Sequence, residues 1–524
     1  MKCDKKPFSD KFISVLLGIV CIISYSVLLW QCFNPAIIGD ETFSMSLIKG
    51  SYFDIIRNTA RDVHPPVYYL ILKFVVGLLT PLGVPAVYAG KLASALPLFL
   101  LVLVSFTIVR KRFGIQASFL FAVCLTGMSG MQDYGVCIRM YSWGMLFVTM
   151  AYLSAYDLFR TSQTDAPPLT EHLWSGIAFV LYSLLAAYTH YFACIAVSGV
   201  YLALLVWFLC CDRKRILEWL LYLLASVIGY LPWITIALRQ VMTVREGYWI
   251  DAITFDTLLS YFQFLFNPSV YRYYSGTILG FILFGLILFA SAAALLRKFR
   301  GEQRILPDEL LFFSLTGIAI PFWEILIGVL VSVLIRPVFS SRYIFVSTGT
   351  LWLGFSILMA AYFKNRSQKR TAFFHLFLLL LLCINTIGFM KRETEFREGW
   401  NMLQETLNSE LESGDVILSN FGQVRLSLSY AYPQHENCYY WRQRTEDLFK
   451  ELYGNLNDTR DEEAILAFLQ DDNAMYFVDA YELPEFHFQK DCTAPDVVFE
   501  ELTTCLIEDT PVCIYKVSHS LQTR

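Results

Sequence analysis

A run of about 20 apolar residues crosses a hydrocarbon core as one helix, and this chain repeats such runs from Phe12 almost to Lys391. No other feature narrows the choice of fold so far. In lipid every backbone N–H and C=O must be satisfied internally, which admits helix bundles and closed barrels; runs of this length specify helices. Charged residues make up 16% of the 524 positions, well below the roughly 25% of soluble chains. The sequence therefore predicts a polytopic α-helical membrane protein with about eleven transmembrane helices. They fall near 12–33, 86–109, 115–132, 142–159, 173–190, 191–211, 218–239, 276–297, 309–335, 344–363 and 372–390.

Charge sets the expected topology. Lys2, Lys5, Lys6 and Lys11 precede the first run, which continues to about Phe33 without a small-residue cleavage pattern, so an uncleaved first span is expected. The stretch Val67–Thr80 has only 14 residues and carries Lys73 in its middle. It is too short for a crossing and is assigned as a juxtamembrane or re-entrant helix, with Lys73 as a snorkelling side chain. The basic clusters Arg110–Arg112, Arg213–Arg215, Arg297/Lys298/Arg300 and Lys364/Arg366/Lys369/Arg370 then all become cytoplasmic, as the positive-inside rule requires. The N-terminus is inside and the segment after the last span outside, in a multi-pass protein of the cell membrane.

That segment differs in composition. From Lys391 to Arg524 there are 26 acidic and 11 basic residues, a net −15 against +11 for the preceding 390, which gives the overall −4. The expected division is a membrane domain over 1–390, with a first outer loop at 34–85, and an extracytoplasmic α/β domain over 391–524. Helical spacing over Glu398–Leu411 ends in the turn signal Ser413-Gly414-Asp415. Short strands follow at Val416–Leu418, Met475–Val478 and Val512–Val517, with a helix at Glu462–Leu469. Four cysteines, Cys438, Cys492, Cys505 and Cys513, lie in this domain. Outside the cytoplasm they could form one or two disulfides, with three full pairings open. No basic patch suggests nucleic acid.

The unusual polar residues of the membrane half collect on the outer side: Asp40, Glu41, Arg57, Arg61, Asp62, His64, Asp133, Arg139, His190, Arg239, Arg245, Glu246, Arg336 and Arg342. Ionisable groups at a bilayer are costly and mark functional sites. The adjacent carboxylates Asp40 and Glu41 supply what a general base needs, since a carboxylate held near an acceptor hydroxyl can take its proton as bond formation begins. In Asp62-Val63-His64-Pro65-Pro66 the two prolines stiffen the chain and start a helix sharply at Val67. That fixes His64 and the first helical amides where an anionic group such as phosphate is favoured. Arg139 and Arg342, each at an outer boundary of a span, could clamp a phosphate with planar bidentate donors. His190 sits in a turn between spans, and Glu324 lies within a span, where a partner is expected. The chain has no GxxxxGK[ST] loop, no GxGxxG in a βαβ context, no HExxH and no CxxC pair, which argues against nucleotide hydrolysis and a structural zinc site.

These residues resemble the polyprenyl-phosphate-sugar-dependent membrane glycosyltransferases of the C-type fold. That superfamily includes protein O-mannosyltransferases and aminoarabinose transferases, and the likeness is to its bacterial branch. The resemblance rests on Gly39-Asp40-Glu41-Thr42, His64-Pro65-Pro66-Val67-Tyr68-Tyr69, Arg139-Met140-Tyr141-Ser142, Thr189-His190-Tyr191-Phe192, Tyr248-Trp249-Ile250 and Arg342-Tyr343, in family order across about residues 10–390. Gly399-Trp400 and Gly414-Asp415-Val416-Ile417 resemble the start of the α/β domain in bacterial relatives. Cys137 departs from the pattern, since relatives often carry an acid two places before that arginine.

The resemblance implies inverting transfer of a sugar from an undecaprenyl-phosphate-type donor to an acceptor on the outer face. Asp40 would be the base and Glu41 would position the acceptor or the loop. His64, Arg139, Tyr141, His190, Arg342 and Tyr343 would bind substrate, while membrane lipids surround the polyprenyl tail. The acceptor class (lipid, glycan or protein) is open, and so is a divalent metal, for which no ligand set is specified. A transporter or flippase of a lipid-linked sugar, or a glycan polymerase or ligase, stands as the alternative. A flippase would need polar residues continuing through the membrane, and here they collect at one surface.

Overall fold

The computed structural model describes residues 10–128, 130–161, 169–246, 250, 252–268, 275–300, 306–364, 368–440, 447–459, 462–469, 474–480, 488–507 and 510–519. Among them, eight helices have the length and hydropathy to cross a membrane: Phe12–Gln31, Ala86–Phe113, Tyr191–Cys211, Arg213–Thr243, Gly276–Phe299, Asp308–Leu334, Ser341–Phe363 and Gln368–Glu410. The chain is a multi-pass membrane protein. The three remaining expected spans also fall on helices, Ile115–Gly127, Tyr141–Thr161 and Leu169–Ala187, of 13, 21 and 19 residues. The first is shorter than the ~20 residues of a crossing, and polar side chains such as Ser142, Thr149, Ser154 and Asp157 dilute the second. Val67–Leu79 is a separate 13-residue helix.

The chain divides into two compact units. One comprises Met1–Cys32, Asp62–Ile71 and Lys91–Phe389, and the other Phe33–Arg61, Leu72–Gly90 and Met390–Arg524. The first is a helical bundle centred on the Ser341–Phe363 span, almost all of whose apolar window is buried. It packs closely on Asp308–Leu334. A side chain at Gly354 would place its first carbon 2.4 Å from the Ser314 carbonyl oxygen, and Thr350 Oγ1 donates to the Gly317 carbonyl at 3.1 Å. Small residues and side-chain hydrogen bonds are what draw helices together where lipid removes the hydrophobic drive. This packing embeds Arg342 and Tyr343, at the start of the span, in the bundle.

The second unit carries a six-stranded sheet of β1 (Val416–Ser419), β2 (Glu436–Tyr440), β3 (Leu456–Thr459), β4 (Met475–Asp479), β5 (Val497–Ile507) and β6 (Thr510–His519), ordered β3-β2-β1-β4-β6-β5. β1 to β4 run parallel and β6 returns antiparallel between β4 and β5. The turn before β1 is fixed by Gly414, at φ 100°, and by Asp415, whose carboxylate accepts from the Glu412 and Ala474 amides at 2.7 and 2.8 Å. One face of the sheet packs on Trp400, Leu403 and Leu407, and that core also contains Ala36 and Ile38 from the segment just before Asp40. The first loop is thus built into the hydrophobic core of the C-terminal part of the chain.

The helix expected over Glu398–Leu411 continues the last span, and both belong to one 43-residue helix, Gln368–Glu410. Cys505 and Cys513 lie on paired strands but out of register, Cys505 facing Val512 and Cys513 facing Thr504.

Candidate active site

In the helical unit the polar residues expected from sequence converge around Arg139. It lies just before the Tyr141–Thr161 helix, where its amide donates to the Cys137 carbonyl at 2.6 Å, and it is 3% exposed. Its Nη1 donates to the Tyr69 hydroxyl and its Nη2 to His64 Nε2, both at 3.4 Å. His64 Nδ1 meets Asp62 Oδ2 at 2.8 Å. The rigid Pro65-Pro66 turn holds this pair, and the Val67 amide donates to the Tyr188 carbonyl at 3.0 Å, fastening the new helix to the turn before His190. Asp62, His64 and Arg139 therefore form one partly buried polar chain.

An aromatic shell encloses it. His190 is 3% exposed and caps the Tyr191–Cys211 helix, its Nδ1 accepting from the Phe192 amide at 3.2 Å. Its ring lies 6.1 Å from that of His64, 5.7 Å from Tyr141 and 5.1 Å from Tyr343. Phe192 stacks on Tyr343 at 5.0 Å, and the Arg342 guanidinium lies 5.7 Å from the Tyr343 ring centre. Burial first, then His64, Arg139 and Arg342, push the His190 pKa well below its ordinary value. A buried imidazole beside cations stays neutral because a further charge there is both desolvated and repelled. The unit thus assembles buried Arg139, Tyr141, His190 and Tyr343 with half-buried His64 and Arg342 into a cation-rich cluster suited to an anion.

In the second unit, Asp40 and Glu41 open the Gly39–Leu47 helix. Glu41 is 6% exposed and its Oε2 accepts from the Ile38 amide at 3.3 Å, the back-bond of a capping box. Its carboxylate holds the helix start. Asp40 is only half-buried. Thr42 Oγ1 donates to the Gly39 carbonyl at 2.8 Å and receives the Tyr453 hydroxyl at 3.1 Å. A side chain at Gly39 would collide with Gln423, whose Oε1 lies 2.1 Å from the first added carbon. Lys73, expected to snorkel, instead donates to the Ile48 carbonyl at 3.0 Å. Ile48 caps the end of the same helix, where a cation opposes the helix dipole.

Sequence reasoning missed several participants. Asp62, singled out only as an outer-side charge, orients His64. Tyr69, visible only as part of a motif, binds Arg139. Lys91 is 2% exposed and lies one turn from Ser94, whose hydroxyl pairs with that of Tyr68 at 2.9 Å; a lone lysine at the head of an apolar run gave no signal. Glu324 is fully buried within its span. Tyr248 and Trp249 lie outside the described residues, as do the side chains of Arg245 and Glu246. Among the described residues no three His, Cys, Asp or Glu side chains gather as a metal site.

No family model matches the chain, and no curated protein matches its sequence. Solved structures do match. ArnT from Cupriavidus metallidurans in the apo state aligns at a TM-score of 0.58 and 11% identity, over 95% of this chain and 97% of that one. The same protein bound to undecaprenyl phosphate aligns at 0.54, with the same identity and coverage. An oligosaccharyltransferase from Archaeoglobus fulgidus aligns at 0.44 and 11% identity, over 80% of this chain and 62% of that one. The chain has the ArnT fold, which is the C-type fold that its motifs resemble.

Proposed function

We propose that this protein is a membrane glycosyltransferase that moves a sugar from a polyprenyl-phosphate donor to an acceptor hydroxyl outside the cytoplasm, with inversion. The Asp40 carboxylate takes the acceptor proton while the acceptor oxygen bonds to the anomeric carbon. The bond from that carbon to the phosphate oxygen breaks, and its electron pair leaves with the polyprenyl phosphate. Preorganised cations in a water-poor site stabilise such developing charge strongly; Arg139 and Arg342 serve here. His64 holds Arg139, and Tyr141, His190 and Tyr343 wall the anion site.

The observation that carries this reading is the partly buried cluster of Arg139, His64, His190 and Arg342, in a chain whose fold is that of a protein solved with undecaprenyl phosphate bound. The outer location of the first loop and the C-terminal domain is supported by the basic clusters on the opposite ends of the spans. It is also supported by residues 33–61 and 390–524 sharing one compact unit.

The test is transfer from a panel of polyprenyl-phosphate sugars by purified protein. Asp40→Asn should abolish transfer while donor binding persists. A fully active Asp40→Asn variant removes Asp40 from the base role, and absence of transfer by the unmodified protein with every donor of the panel favours the flippase alternative.

A further inference from the structure

Asp40 is held from both sides by the C-terminal part of the chain. Before it, Ala36 and Ile38 lie in the core that contains Trp400, Val424 and Tyr476, and a first side-chain carbon at Gly39 would meet the Gln423 side chain. After it, Phe43 packs on Phe449 with ring centres 5.2 Å apart. The fully buried Thr42 passes a hydrogen bond from Tyr453 to the Gly39 carbonyl. Further along, Lys49 lies 4.7 Å from the Tyr430 ring centre, and Arg61 grips Glu451 with two bonds of 2.6 and 2.9 Å.

The Tyr453 hydroxyl is the polar centre of this contact. Burial raises its pKa, Thr42 and Ser46 oppose the rise through hydrogen bonds, and Arg425 and Asp40 act on it in opposite directions. It therefore stays a neutral donor within electrostatic reach of the Asp40 carboxylate. The peptide unit just before Asp40 belongs to this hydrogen-bonded path, which runs from the Tyr453 hydroxyl through the Thr42 hydroxyl to the Gly39 carbonyl.

We propose that Tyr453, acting through Thr42, is a positioning residue that sets the placement of the Asp40 carboxylate. This rests on Asp40 being the base. A base misplaced by even an ångström loses rate steeply, while ground-state binding made elsewhere is unaffected.

The experiment compares Tyr453→Phe, Thr42→Val, their double variant and Thr42→Ser in the full-length protein, with Asp40→Asn alongside. Tyr453→Phe keeps the buried ring and removes only the hydroxyl. Both single variants should lower kcat about tenfold with KM for donor and acceptor within about twofold. The double variant should be no worse than either single one, because a shared path is lost once. Thr42→Ser, which keeps the hydroxyl, should restore kcat. Melting temperatures should stay near that of the unmodified protein. Unchanged kcat in Tyr453→Phe with an inactive Asp40→Asn overturns the positioning role and leaves the base reading intact. A loss of activity that follows lowered melting or raised KM overturns it as well. A fully active Asp40→Asn removes both.

Discussion

Arg139 and His64 meet at 3.4 Å, guanidinium Nη2 to imidazole Nε2, while the other ring nitrogen, Nδ1, faces Asp62 at 2.8 Å. His64 thus lies between Asp62 and Arg139, placed to orient that cation. Replacing His64 with Ala should raise donor KM and lower transfer by about tenfold, and Asp62→Asn should do so more weakly. Steady-state kinetics with a polyprenyl-phosphate sugar checks this; equal losses in Asp40→Asn and His64→Ala with unchanged donor affinity would contradict it.

Arg139 should not tolerate lysine. The guanidinium is tied at two nitrogens, to Tyr69 and to His64, and a lysine ammonium cannot reproduce that planar fork. Arg139→Lys is expected to recover little of the activity lost in Arg139→Ala, with about 10²-fold lower kcat/KM in both. Activity near the unmodified level in Arg139→Lys would mean that charge alone suffices.

Much of this was legible beforehand because membrane helices announce themselves by length and apolarity, and because ionisable residues stand out against such a background. The helices and the strands near Val416, Met475 and Val512 follow from signals within a few residues of each side chain. What stayed hidden depends on distant partners. Ala36 and Ile38 look like ordinary apolar residues ahead of an acidic pair, yet they belong to a core made about 400 residues later. The same holds for Tyr453 and Thr42, which are 411 positions apart. Strands β2, β3 and β5 carry Asn, Asp, Glu and Thr in place of clean alternation, so their pairing, not their pattern, defines them. Lys73 also takes a distant partner, the carbonyl at the end of the Gly39–Leu47 helix.

Glu41 should separate from Asp40 by its tolerance of glutamine. Its carboxylate caps the Gly39–Leu47 helix through the Ile38 amide, a task an amide oxygen performs equally well. Glu41→Gln should keep near-full transfer, and Glu41→Ala should cost about 1 kcal/mol of stability along with part of the activity. Thermal melting and transfer assays on the two variants check the assignment; loss of catalysis in Glu41→Gln would give Glu41 a direct chemical role.

Gly399 is expected to admit no side chain. A carbon added there would lie 1.8 Å from the carbonyl oxygen of Leu506 in β5, and backbone cannot yield as a flexible side chain can. Gly399→Ala should cost at least about 1–3 kcal/mol and should loosen Trp400 and Leu403 from the sheet. Limited proteolysis of the C-terminal domain and tryptophan fluorescence report this directly, and an unchanged protease pattern would contradict it.

His190 should make stability fall in acid. Unfolded, its imidazole has an ordinary pKa near 6.5, whereas in the folded protein burial and the neighbouring His64, Arg139 and Arg342 hold the pKa well below that value. Between those two values the unfolded state binds a proton that the folded state refuses, so stability rises with pH across this window and is lost as pH drops below about 6.5. The slope for one such group approaches about 1.4 kcal/mol per pH unit. Asparagine is the informative replacement: it can accept from the Phe192 amide as His190 Nδ1 does at 3.2 Å, and it does not titrate. Melting temperatures measured from pH 7.5 to 5 should therefore fall less in His190→Asn than in the unmodified protein, while the two agree at neutral pH. Parallel curves would mean that His190 takes up its proton in the folded state, and with it that the anion site gains a third positive charge in acid.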